Sequence, residues 1–239
     1  MKKIFAIIVI VLAIFIVIPF LRDFISGSKA SSDKDSSITT QVAKSDSLKS
    51  GWERIYINDV GRIDLPPTME VLSESDEITV SGARIIKSSF IALPKSLNNE
   101  GSKYARIDLA TDYDSSVDYL PLDLDLSVLN QDQIKSVEII AHELNKSLKQ
   151  NFETICSIAD VKLISWIPLK ALNINGMFGF HTFFKMQYPD GSFILQHTYC
   201  FHNNDRMHTL HLSYRESESD YWESDIDAII NSFRITNFR

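Results

Sequence analysis

Cysteine is almost missing from this chain, with two in 239 residues, Cys156 and Cys200. None follows the apolar run near the amino terminus, which excludes a lipid-modified lipoprotein, and the pair allows at most one disulfide. Missing too are a glycine-rich phosphate loop, a G-x-S-x-G elbow, an H-E-x-x-H helix and paired C-x-x-C motifs. These absences count against the common enzyme classes that carry them. Nothing repeats at solenoid or propeller spacing, and past the first 25 residues no run is apolar and long enough to cross a bilayer. Positive charge is in deficit, 24 Lys+Arg against 31 Asp+Glu; residues 1–50 hold 7 and 4 of these, leaving 17 and 27, or −10, for residues 51–239. A domain of that sign repels phosphate backbones and anionic headgroups, so nucleic acid is not an expected partner.

What is present begins with Met1-Lys2-Lys3 and an uncharged, nearly all-apolar run from Ile4 to Leu21 that closes on Arg22-Asp23. The run exceeds the roughly 7–15 residues of a cleavable signal core and reaches the lower end of the roughly 17–25 that span a bilayer. Residues 1–25 are therefore expected to form a transmembrane anchor. Lys2 and Lys3 precede the run, while Arg22 is offset by Asp23, so the amino terminus is expected in the cytoplasm and the rest outside it. The rival is a secreted protein cleaved at Ser28-Lys29-Ala30. Residues 26–50, rich in Ser, Lys and Asp, cannot bury enough apolar surface to offset their ordering entropy and read as a flexible tether. Residues 51–239 suit one globular domain.

A hairpin is expected over Trp52–Asn58 and Arg62–Leu65 around Asp59-Val60-Gly61, ended by Pro66-Pro67. Strands follow near Ile78–Val80, Arg84–Leu93 and Tyr104–Thr111. Asn130 with Gln133 marks a helix start, and Ile134, Val137, Ala141, Leu144 and Leu148 give it one apolar face. Strands return at Val161–Leu169, Met177–Tyr188, Phe193–His202 and Met207–Arg215. A last helix is expected from Asp220, capped with Glu223, turning Trp222, Ile226, Ile229 and Phe233 inward. The class is α+β, an antiparallel sheet with helices packed on it.

The Trp-initiated hairpin ending Gly61-Arg62-Ile63-Asp64-Leu65-Pro66-Pro67, the meander, and the closing helix with Trp222 and Ile229-Ile230-Asn231-Ser232-Phe233-Arg234 resemble the α/β/α sandwich shared by the extrinsic PsbP subunit of photosystem II and the Ran-binding nuclear import factor. The resemblance covers about residues 51–239 and implies binding and assembly roles rather than catalysis. The acidic segment 112–132 has no counterpart in it, and no functional residue carries over.

One constellation invites chemistry. With Asp190-Gly191 as a two-residue turn, Phe184 would face His197 and His181 would face Cys200. Phe178, Phe180, Phe184 and Met186 would then share an apolar face with Phe193, Leu195, Tyr199, Phe201, Leu210, Leu212 and Tyr214. His181, Lys185, Gln196, Thr198, Cys200, His202, Thr209 and His211 would share the other face. Cys200 with His181 could be a nucleophile and its base, or half a metal site; the rival readings of Cys200 are an inert buried thiol and a disulfide to Cys156. Asp112, Asp114, Ser116, Asp118 and Asp123 space oxygens as a calcium loop does, but the sixth-position glycine and framing helices are missing, which favours a solvated acidic loop. No cofactor is expected. The functional expectation is a membrane-anchored extracytoplasmic binding or assembly module. It would recognise a protein or cell-envelope partner through an open polar face bearing His181, Lys185, Thr198 and His211, with charge steering from Asp112–Asp125. The alternatives are a thiol-dependent enzyme or hydrolase using Cys200 and His181, and a small-ligand or lipid carrier with the sheet as pocket floor.

Overall fold

The computed structural model describes residues 48–72, 77–80, 84–95, 103–113 and 119–237. The apolar run at 4–21 and nearly all of the tether lie outside the described residues. In chain order the elements are β1 (Glu53–Ile57), β2 (Gly61–Leu65), β3 (Met69–Leu72), β4 (Glu77–Val80), β5 (Arg84–Pro94), β6 (Ala105–Tyr113), α1 (Gln131–Ala159), β7 (Lys162–Ile174), β8 (Met177–Gln187), β9 (Phe193–Asn203), β10 (Arg206–Arg215), α2 (Ser219–Ser232) and β11 (Arg234–Ile235). A large antiparallel sheet runs β3-β5-β6-β10-β9-β8-β7, with β4 also paired to β5; a small one runs β1-β2-β11.

Both faces of the large sheet are apolar, so both need cover. Ala92, Ile107, Leu109, Phe201, Leu210, Leu212 and Tyr214 form one core with the small sheet and with Trp222, Ile226, Ile229 and Phe233 of α2. On the opposite face, Phe178, Phe180, Cys200 and Met207 meet Val137, Ile140, Ala141, Leu144 and Leu148 of α1, while Phe184, Met186 and Ile194 meet Phe152 and Cys156 nearer its end. Each large apolar side chain buried this way contributes about 1.5–3 kcal/mol. Among the described residues the result is an α+β fold in which α1 and α2 lie on opposite faces of an antiparallel sheet.

The local chemistry of α1 follows its sequence. Asn130 Oδ1 accepts from the Gln133 N–H at 2.9 Å, and Gln133 Oε1 accepts from the Asn130 N–H at 3.0 Å, the reciprocal cap that satisfies two orphan donors. The helix docks on β7 through Asn145, whose Oδ1 accepts from Trp166 Nε1 and from the Leu169 N–H, both at 2.8 Å. The start of α2 differs from expectation. The helix begins at Ser219 without a side-chain cap, so the Asp220–Glu223 box does not form. Glu218, at the preceding position, is drawn elsewhere: its carboxylate accepts from the Tyr104 N–H at 2.7 Å and from Trp222 Nε1 at 3.2 Å.

Candidate interaction face

The register of β8 against β9 decides what shares a face. The Gly191 N–H donates to the Tyr188 carbonyl and the Tyr188 N–H to the Ser192 carbonyl, each at 2.9 Å, and Gly191 has φ +85°. The connection is thus the three-residue loop Pro189-Asp190-Gly191, a tight turn closed by a left-handed glycine, and not a two-residue turn. Lengthening the loop by one residue slips the pairing by one, and a slip of one turns the partner set over. His181 pairs with Tyr199, Thr182 with Thr198, Phe183 with His197, and Phe180 with Cys200. This corrects the expected assignment. His181 and Cys200 lie on opposite faces of the sheet, as do Phe184 and His197, and the nucleophile–base pair is not assembled.

Thr198 and His211, expected on an open polar face, lie on the α1 side. Thr198 is buried, and its hydroxyl meets Nδ1 of half-buried His211 at 2.9 Å, with Gln196 Nε2 at 3.2 Å from the same nitrogen. Burial lowers the His211 pKa. These groups satisfy one another inside the fold. His202 is more extreme. It is 2% exposed, its Nδ1 accepts from the Leu120 N–H at 3.1 Å, and its buried Nε2 has no hydrogen-bond partner among the described residues. Burial holds it down at about 4. His208 is likewise sealed, between the Thr111 hydroxyl at 2.9 Å and Asn203 Nδ2 at 3.4 Å, and burial holds it at about 3.

Both cysteines are free thiols, buried in different parts of the α1 interface. Burial, slightly eased by the Thr209 hydroxyl, pushes Cys200 up to about 12, and burial with the Glu153 charge pushes Cys156 up to about 11. A thiol in that state presents no thiolate near neutrality. Of the calcium candidates, Asp112 is a buried residue inside β6, paired with Met207, and Asp123 is exposed. Asp114, Ser116 and Asp118 lie outside the described residues. Asp112 therefore offers no surface charge for steering. Among the described residues no group of three or more His, Cys, Asp or Glu side chains stands ready to hold a metal.

A different constellation forms on the α2 side. That helix packs with β2 and β10, and toward β8 and the edge strand β7 burial falls away. His181, Phe183, Lys185, Leu195 and His197 are half-buried there, and Ile167 on β7, paired with Phe183, is 48% exposed. The rings are ordered. His181 stacks on Tyr199 with centroids 4.4 Å apart, Phe183 packs on His197 at 4.6 Å, and the two imidazole planes lie within 11° of each other. Nε2 of His181 is 3.2 Å from Nδ1 of His197. Burial, aided by His197 and then Lys170, holds His181 at about 4; burial, opposed by Asp227, holds His197 at about 4. Both rings are neutral at physiological pH. At the rim Lys185 Nζ bonds Glu216 Oε1 at 2.6 Å and covers the Phe193 ring at 4.3 Å. His181 and Lys185 thus belong to a partly open sheet face, in the company of Phe183, His197 and Ile167, which sequence reasoning did not place there. The signal that could have found them was Gly191, read as the left-handed closing residue of a longer loop.

No family model matches the chain, and no curated protein matches it in sequence. Among solved structures it has a weak fold-level resemblance to the solution structure of cyanobacterial PsbP (CyanoP) from Synechocystis sp. PCC 6803, with a TM-score of 0.42 and 12% identity over 78% of this chain and 94% of that one.

Proposed function

We propose that this chain is a membrane-anchored, extracytoplasmic binding module that docks a protein partner on the uncovered strip of its large sheet across β7, β8 and β9. The observation that carries the reading is the set of half-buried rings and the exposed Ile167 on a face that α2 covers only in part. Aromatic groups already fixed by stacking lose little freedom on association, which suits them as interface anchors. Strand addition at β7 is blunted by Pro168 and by register shifts at Leu163/Ser165 and Ile167/Lys170, so the partner meets side chains on the face and not the strand edge. The net charge of −10 over residues 51–239 disfavours anionic lipid headgroups as the docked surface. Anchor and tether would hold the module near a membrane and let it reach its partner by diffusion.

The thiol-enzyme alternative finds no support, since Cys200 is sealed beneath α1 and His181 lies on the other face. The test is a photo-crosslinking amino acid placed at Phe183, and separately at Glu143 on α1, in the full chain in its own cells. Capture of one protein from Phe183 and not from Glu143 supports the proposal. Equal labelling from both positions, or none from Phe183, removes it.

A further inference from the structure

We propose that the docking strip takes a basic side chain of its protein partner, arginine foremost, laid over the Phe183 and His197 rings and paired by Asp227 on the wall that α2 forms beside them. That assignment rests on the docking reading and specifies what the partner presents.

Helical spacing builds the wall. In α2 the buried stripe is Trp222, Ile226, Ile229 and Ile230. At about 100° per residue, Asp225 and Ser232 lie on one flank of that stripe, and Glu223 and Asp227 lie on the other. The first flank meets the small sheet: Ser232 Oγ accepts from the Asp64 N–H at 2.8 Å, and Asp225 pairs with Lys49, which covers Trp52. The second flank therefore borders the open strip. Tyr214 marks the border, stacked beside His197 with centroids 6.4 Å apart and planes within 13°. The charge of Asp227 reaches His197, Tyr199 and Tyr214, and that of Glu223 reaches Tyr214. Neither carboxylate is bonded to a lysine or arginine among the described residues.

The same face already holds one cation of its own. Lys185 Nζ meets the Glu216 carboxylate at 2.6 Å and covers the Phe193 ring at 4.3 Å. Asp227 beside Phe183 and His197, whose rings pack 4.6 Å apart, repeats that pairing of acid and ring and leaves the cation to come from outside. A guanidinium suits the position, because its plane stacks on a ring while its fork pairs with a carboxylate. His181 and His197 are neutral at physiological pH, so neither repels it. Lys170 acts on His181 from β7, two strands or about 10 Å from β9. The strip is thus positive at its outer edge and negative beside α2, which directs the partner's base to the α2 side.

The full chain, with its His and Phe rings isotopically labelled, is purified in detergent and titrated with acetyl-Gly-Arg-Gly-amide and with the same peptide carrying uncharged citrulline. Nuclear magnetic resonance should show saturable shifts at the Phe183 and His197 rings. The citrulline peptide should bind at least about threefold more weakly, the combined scale of one exposed cation–ring contact and one exposed ion pair. Asp227→Asn, at an exposed position, should bring the arginine peptide down to the citrulline level, while Asp225→Asn on the other flank leaves it unchanged. Equal binding of the two peptides, no saturable shift at these rings, or an Asp227→Asn affinity equal to that of the wild type or of Asp225→Asn overturns the basic site. A failed titration with a protein captured from Phe183 overturns this site and leaves docking intact, whereas no capture from Phe183 overturns both.

Discussion

Acid should dismantle this fold through its histidines. Burial lowers the pKa of His202 to about 4, and burial with the Arg206 charge, only partly opposed by Asp205, lowers that of His208 to about 3. In the unfolded chain each returns to about 6.5. The folded values are depressed, so the unfolded state binds more protons whenever the pH lies between the two, and stability falls as the pH falls. At about 1.36 kcal/mol per unit, the fully developed loss is about 3 kcal/mol for His202 and about 5 kcal/mol for His208. Both titrate together from about pH 6.5 to about pH 4.5, where the slope is about 2.7 kcal/mol per pH unit and the loss about 5 kcal/mol. That matches the lower end of a domain's whole stability, about 5–15 kcal/mol. His181, His197 and His211 act in the same direction. Trp52, Trp166 and Trp222 provide the signal for guanidinium denaturation at a series of pH values. His202→Phe keeps a ring in place and removes one titrating group, so its slope should be shallower by about 1.4 kcal/mol per pH unit. Stability that stays flat from pH 7 to about pH 4.5, or a variant slope equal to the wild type, would refute the argument.

The buried thiols should resist a soluble disulfide reagent in the native chain and react on unfolding, because the Cys200 shift alone lowers its thiolate fraction roughly a thousandfold; rapid native labelling would contradict this. Gly179→Ala should cost about 1–3 kcal/mol, since its Cβ would sit 2.7 Å from the Cys200 carbonyl oxygen and 2.9 Å from the Phe201 ring; an unchanged melting temperature counts against the β8–β9 packing described here. Asn130→Ala removes the side-chain acceptor for the Gln133 N–H while keeping the backbone donor to Gln133 Oε1, and should cost about 1 kcal/mol in denaturation, with a neutral result contradicting that cap.

Where local chemistry decides structure, the sequence is readable. The α1 cap and apolar stripe, the β1–β2 hairpin, and the inward Trp222, Ile226, Ile229 and Phe233 all stand as their spacing implies. Reading fails where one residue of loop length controls many others. The Pro189-Asp190-Gly191 loop shifted β8 against β9 by one and sent Thr198 and His211 under α1, while His181 and Lys185 stayed toward the open side. Asn175-Gly176, with φ of +56° and +77°, is a hairpin turn that the reading of the strand as Val161–Leu169 passed over, and it explains why β7 runs on to Ile174 to pair with β8. β3 and β11 were hidden because each is short and forms only by pairing with a strand far along the chain, β5 and β2. Asp220 looked like a cap, yet Glu218 is taken by Tyr104 and Trp222, a tertiary demand that spacing cannot show. The role of Asp112 as a buried strand residue was likewise masked by the acidic run that follows it.

Docking of a protein partner on the β7–β9 strip is decided by the affinity of the purified full chain for the protein captured from Phe183, compared among the wild type, Phe183→Arg with Ile167→Asp, and Ile139→Asp on the exposed side of α1. The strip variant should lose at least about 2 kcal/mol of binding, the scale of an interface hot spot, while circular dichroism and the α1 variant stay at wild-type values. Equal affinity for all three proteins would contradict it.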